Sequence, residues 1–294
     1  MSKAKVLKYD VFVAPESPFN GPPARVANSD PPAWDPKTAT LIFGERDAVL
    51  VDALLTIREA TALAKWIELH ERRLTTIYIT HGHGDHFLGL PVLLDRFPGA
   101  RVVATKGTVE LMRKNSTPDV LDNGFRARFP GQISDTTVLA EPLDSMQFDI
   151  EGWPLVVVEA GHTDTFNTTS LHVPDIGLVV SGDVAYNRCH MFVSATTPES
   201  RTEWVAALDR LAALRPTAVV TGHKDPNQGN VPTAIDESRE YIEFYGKQRE
   251  AGLSDQELFD AMVRRYPGWV SRQEFLILPR LGSTSMTSAM NLRP

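Results

Sequence analysis

The stretch Thr80-His81-Gly82-His83-Gly84-Asp85-His86 packs three histidines and a carboxylate into six positions, directly behind the apolar run Thr76-Ile77-Tyr78-Ile79. A strand that delivers four polar side chains to one point must also supply something that satisfies them, because buried imidazoles and carboxylates are costly without partners. A cation does this. Zinc takes nitrogen and carboxylate-oxygen ligands, and its catalytic sites keep a position open for water. The interleaved glycines allow the sharp turns by which alternate side chains converge. A histidine-rich surface loop is the competing reading, but five of the eight histidines fit a single scheme.

Three further apolar runs end in the same way. Residues 155–158 lead to Gly161-His162, 178–180 to Gly182-Asp183, and 218–220 to Gly222-His223. A lone histidine or Gly-Asp after a strand means little. Four such ends together point to one site, since sheets fix positions at their edges while the loops there vary.

The chain has 294 residues, enough for one large domain or two small ones, with 42% apolar and 23% charged residues. Its net charge of −7 argues against a nucleic-acid partner, because that affinity rests on clustered Lys and Arg. No apolar stretch follows the basic N-terminus, and none approaches the roughly 20 residues that span a bilayer. Cys189 is the single cysteine, which excludes an internal disulfide and fits a reducing compartment. These features lead us to expect a soluble cytoplasmic protein with no membrane partner.

Seven prolines mark residues 15–36 as an irregular segment, with Phe19 and Trp34 as anchors. A hairpin is expected over 38–43 and 48–52, then a helix over 57–70 capped by Thr56. A strand at 76–80, the histidine loop, a helix over 88–96, a strand at 101–104 and a helix over 109–114 follow. Residues 115–135 interrupt this alternation, and Phe125 and Phe129, with Arg126 and Arg128 between them, suggest an amphipathic lid over an apolar substrate. Strands are expected at 136–140, 146–150, 154–159, 169–173, 177–181 and 218–221, with a helix over 198–214. Helices close the chain from 231, with a capping box at Ser254 and Glu257. We divide the chain into a proline-rich segment at 1–37 packed on the core, a central unit at 38–230, and a helical extension at 231–294.

The ordered set His81, His83, Asp85, His86, His162, Asp183 and His223 resembles the pattern of the metallo-β-lactamase superfamily, over residues 38–225. The resemblance implies an α/β layered fold, an αββα sandwich, with two divalent metal ions per chain, zinc by default, at one edge of the sheets. It implies that His81, His83 and His162 hold the first ion, that Asp85, His86 and His223 hold the second, and that Asp183 bridges them. Two such ions turn a bridging water into hydroxide near neutral pH and polarise a substrate oxygen. His83 stands where the di-iron redox branch has Glu, which favours hydrolysis. Asp183 stands where the main β-lactamase branches have Cys or Ser, which disfavours β-lactams.

Asp183-Val184-Ala185-Tyr186 resembles the lactonase arrangement, which implies that the Tyr186 hydroxyl assists the substrate carbonyl. His190 continues the same loop and could line a pocket. We therefore expect a metal-dependent hydrolase of a small ester or lactone, with Asp85 and Tyr186 as catalytic groups. A glyoxalase II-like thioesterase, which shares Gly161-His162-Thr163, is a second reading. A mononuclear iron oxygenase of sulfur compounds and a non-enzymatic metal-binding scaffold also stay open. The expected partner is a small-molecule substrate, with a homodimer also open.

Overall fold

The computed structural model describes residues 7–278. Residues 1–6 and 279–294 of the expected terminal segments lie outside the described residues. Thirteen strands occur among the described residues: β1 (Lys8–Ala14), β2 (Ser17–Pro18), β3 (Ala33–Trp34), β4 (Lys37–Phe43), β5 (Asp47–Val51), β6 (Arg73–Tyr78), β7 (Arg101–Ala104), β8 (Glu141–Pro142), β9 (Gln147–Ile150), β10 (Trp153–Gly161), β11 (Thr168–Val173), β12 (Leu178–Asn187) and β13 (Ala218–Lys224). Eleven form one sheet in the order β8-β7-β6-β5-β4-β13-β12-β11-β10-β9, with β1 also on β4.

The sheet folds on itself at β4. That strand meets β13 through the single pair Lys37 and His223, so the halves on either side can face one another. Between them lies a core built from both, including Ile42, Val49, Val51 and Tyr78 from the first half and Leu155, Val157, Leu171, Leu178 and Val220 from the second. Fully burying each such aliphatic side chain contributes roughly 1.5–3 kcal/mol. Tyr78 Oη and Thr169 Oγ1 bond across this core at 2.6 Å. The helices Ile57–Glu68 and Leu90–Arg96 back the first half, and Pro198–Ala213, Thr233–Glu250 and Asp255–Arg265 back the second. This is the expected αββα layering.

Local signals account for most boundaries. The Thr56 side chain accepts from Glu59 N, and the Glu59 carboxylate accepts from Thr56 N, closing a capping box. Ser254 and Glu257 do the same for the helix Asp255–Arg265. The expected strand at 136–140 does not form. Val138, Leu139 and Ala140 pack against the helix-backed core without ladder partners, and only Glu141–Pro142 pairs, with β7. Strand β1 is an addition to the expected elements, paired along its whole length with β4.

Residues 115–135 are not an amphipathic lid. They run helically through Pro118–Val120 and Leu121–Arg126, and Leu121, Phe125, Phe129 and Ile133 are buried in the core of the first half. Trp34 packs on Phe125 and Phe129, and Phe19 packs on Phe129 and Trp34. The proline-rich segment and the insertion therefore share one aromatic cluster beside the histidine loop. Phe125→Ala should cost about 3–5 kcal/mol, the range for a large aromatic deleted from a core. Denaturant unfolding would read this as a lower midpoint at unchanged slope.

Candidate metal centre

The halves of the sheet meet where their strands deliver polar side chains. The turn after β6 carries His81 and His83, and the short helix Gly84–Phe87 carries Asp85 and His86 in a single turn. Asp183 lies within β12 and His223 within β13. Both strands run past their expected ends, at residues 181 and 221, because the parallel pair continues through register shifts at Gly182 and before Tyr186. Gly182 has φ +53°, a left-handed conformation that suits glycine and leads into Asp183.

Two groups of ligand atoms result, each within 4.8 Å of one another. One holds His81, His83, Asp164 and Asp183, and the other holds Asp85, His86 and His223, all buried. Asp183 faces both. Its Oδ1 is 3.3 Å from His86 Nε2, and its Oδ2 is 3.2 Å from His223 Nε2 and 3.7 Å from His81 Nε2. Asp85 Oδ2 lies 3.4 Å from His223 Nε2, and His83 Nδ1 lies 2.8 Å from Asp164 Oδ2.

Six of the seven expected ligands come together. His162 does not join them. Its half-buried ring stacks on Phe166 with centroids 3.8 Å apart, and Asp164 occupies the expected place beside His81 and His83. The backbone supplies the reason. β10 bulges between Glu159 and Gly161, Gly161 adopts φ +78°, and Thr163 N bonds Thr165 O at 2.9 Å, a tight bend with Asp164 inside it.

Tyr186 is buried, stacked on His223, and its hydroxyl donates to Asp183 Oδ2 at 3.1 Å. His190 lies outside both groups. The chain turns at Arg188 (φ +52°), and His190 is buried in the second helix-backed core with Nδ1 2.9 Å from Tyr241 Oη. Burial there pushes its pKa down to about 4.

An outer layer fixes the ligands, and most of it lies beyond what the sequence signals. His86 Nδ1 is 2.9 Å from Asp52 Oδ2, and Asp52 also accepts from Thr80 N and Oγ1. His223 Nδ1 faces Pro36 O at 3.1 Å. Trp34 Nε1 donates to Asp85 Oδ2 at 2.8 Å. Such partners set imidazole orientation and tautomer. Asp52, which ends the apolar run of β5, carries the strand-end signal that marks His81, Asp183 and His223. Trp34 and Asp164 carry no such signal.

The electrostatics are those of a crowded buried cluster. Burial alone would lower every imidazole. His81 does fall, to about 4, through burial and the neighbouring His86. His223 instead rises to about 10, because Asp183 and Asp85 outweigh its burial. Burial would raise Asp183 and Asp85, yet the surrounding histidines hold both well below the usual carboxylate range. Among the described residues His81 Nε2, His83 Nε2, His86 Nε2, Asp164 Oδ2 and Asp183 Oδ1 are buried with no well-aligned hydrogen-bond partner. Orphans of this kind need a bound group, and a set of imidazoles and carboxylates suits divalent transition ions.

The family model of the metallo-beta-lactamase superfamily matches residues 32–223. The chain belongs to this superfamily. Among curated relatives, this metallo-β-lactamase-superfamily chain is 32% identical over 131 residues to a metal-dependent hydrolase of Agrobacterium fabrum, covering 37% of this chain and 55% of that one. It is 29% identical over 173 residues to one of Brucella anthropi, covering 51% and 72%. The chain thus spans little more than half the length of the first of these relatives. In fold it resembles a metallo-beta-lactamase family protein of Thermus thermophilus, with TM-score 0.61 and 18% identity over 95% of this chain and 91% of that one. It also resembles a metallo-beta-lactamase from Pontibacter korlensis, with TM-score 0.57 and 18% identity over 81% and 99%. Among the described residues no helix is long and apolar enough to cross a membrane.

Proposed function

We propose that the protein is a two-metal hydrolase of a small, uncharged ester or lactone. The observation that carries this reading is the Asp183 carboxylate, which faces His86 and His223 of the second group and His81 of the first, so that it could be shared by two ions. The names of the curated relatives, metal-dependent hydrolases, support the reaction class. The first ion would lie against His81 and His83, and the second against Asp85, His86 and His223. When bound, such a pair supplies an activated water and polarises the scissile carbonyl. Zinc suits these donors.

The chain's own groups do the rest. Asp85, kept ionised by His86 and His223 and fixed by the Trp34 indole, would orient the attacking water. The Tyr186 hydroxyl steadies Asp183 through its hydrogen bond. Its phenol stays protonated, since burial and the neighbouring Asp183 push its pKa far up. Tyr186→Phe should lower kcat about 10–100-fold, the usual cost of losing an outer partner, with a smaller change in KM. An unchanged kcat would remove Tyr186 from the mechanism. For the substrate, the half-buried rings of Phe192, 6.4 Å from His83, and Phe166 offer an apolar surface near the first group. A panel of chromogenic aryl esters and lactones, run with wild type and Asp85→Ala, tests the reading. Turnover confined to wild type supports it, and equal turnover in both opposes it.

A further inference from the structure

The first group poses a question of identity. Counted along the sequence, His162 completes it. In the structure Asp164 does, and two observations say that this carboxylate faces a ligand. Asp164 is 2% exposed, and its Oδ2 has no well-aligned hydrogen-bond partner among the described residues while it lies 2.8 Å from His83 Nδ1 and 3.8 Å from His81 Nε2. Its other oxygen is already committed, accepting from Thr163 Oγ1 at 2.7 Å. A carboxylate pinned by one oxygen, with the other aimed at two imidazoles, is arranged as a one-oxygen metal ligand whose outer partner sets its orientation. His162, two residues earlier, is half-buried and stacked on Phe166.

We propose that Asp164, and not His162, is the third ligand of the first divalent ion, so that each half of the centre is built from two histidines and two carboxylates with Asp183 shared. The inference rests on the two-metal reading above and sharpens it. With Asp164 the centre contains three carboxylates, where His162 would leave two. Against the four positive charges of two divalent ions, three carboxylates leave one net positive charge. A centre so nearly neutralised exerts little long-range pull on an anion, and it suits an uncharged ester better than a phosphate or sulfate ester. The added oxygen donor also moves the first half toward metals that favour carboxylate, such as manganese or iron, relative to an all-imidazole site.

The test is metal binding by the full chain, read without reference to turnover. Apoprotein of wild type, Asp164→Asn, Asp164→Ala and His162→Ala is titrated with Zn²⁺ by calorimetry, and metal content is then measured on the desalted samples. The expected result is two equivalents for wild type and for His162→Ala. For both Asp164 variants one equivalent should be lost or weakened by about 100-fold or more, beyond the 10–100-fold typical of an outer partner. Asp164→Asn keeps the shape of the side chain, and far-UV circular dichroism of the apoprotein separates loss of ligand from loss of fold. If His162→Ala loses an equivalent, or a folded Asp164→Asn keeps both at wild-type affinity, the assignment is overturned while the two-metal reading stands. If wild type itself binds no stoichiometric metal, both fall.

Discussion

Asp183→Ala is expected to abolish turnover, by a thousandfold or more, in a protein that still folds. The size follows from its position. Asp183 is the carboxylate whose oxygens face histidines of both ligand groups, so its removal would loosen the hold on both ions. Two-metal activation contributes several kcal/mol to the transition state, and each ~1.4 kcal/mol is tenfold in rate. Folding should survive, because the layers are held by the apolar cores and not by the cluster. Removing Asp183 does take a counter-charge from His86 and His223, so the apoprotein should be somewhat less stable while still folded. Metal content and kcat on the same sample check this, with far-UV circular dichroism of the apoprotein as the control for folding. A variant that retains both ions and turns over within tenfold of wild type would refute the bridging role.

Gly222→Ala should cost about 100-fold in kcat/KM, although glycine carries no chemistry. A Cβ at Gly222 would stand 2.2 Å from Asp183 Oδ1 and 3.0 Å from the backbone carbon of Gly182. Neither atom can yield freely. Asp183 is held by Tyr186 and the histidines, and Gly182 lies at the register shift between β12 and β13. The added methyl therefore pushes the bridging carboxylate out of line, and misplacing a reacting array by about 1 Å can cost about 100-fold. Weaker metal retention with intact secondary structure is the companion observation. Near-normal activity would show that β13 can shift without moving Asp183.

The parts of this centre that can be read from the sequence are those in which a strand ends on a ligand. His81, Asp183 and His223 announce themselves because an apolar run stops at each, and Asp85 and His86 follow within the same motif. The choice between His162 and Asp164 cannot be read in this way. Spacing does not say which side chain a bend turns inward, and here a bulge, a positive φ at Gly161 and one backbone hydrogen bond decide it. Trp34 is invisible for a different reason: 51 positions separate it from Asp85, and nothing local in a proline-rich stretch foretells a contact across the fold. The insertion at 115–135 differs from the expected lid although its signal is present. Leu121 and Phe125 recur at helical spacing on a buried face and Phe129 and Ile133 continue the apolar row just past the helix, and the polar residues between them mask it. His190 fails as a pocket residue because the backbone turns at Arg188, three positions after the strand supplies Ala185 and two after Tyr186.

The proposed reaction is hydrolysis of an uncharged ester or lactone by the chain with two divalent ions held in this cluster. It is tested most directly by measuring metal content and ester and lactone turnover on one sample, before chelation, after it, and after metal is restored. Two ions per chain are expected, with turnover lost in step with the metal and recovered on readdition. Turnover that survives complete removal of metal, or a chain that binds two ions and hydrolyses no member of the panel, would contradict it.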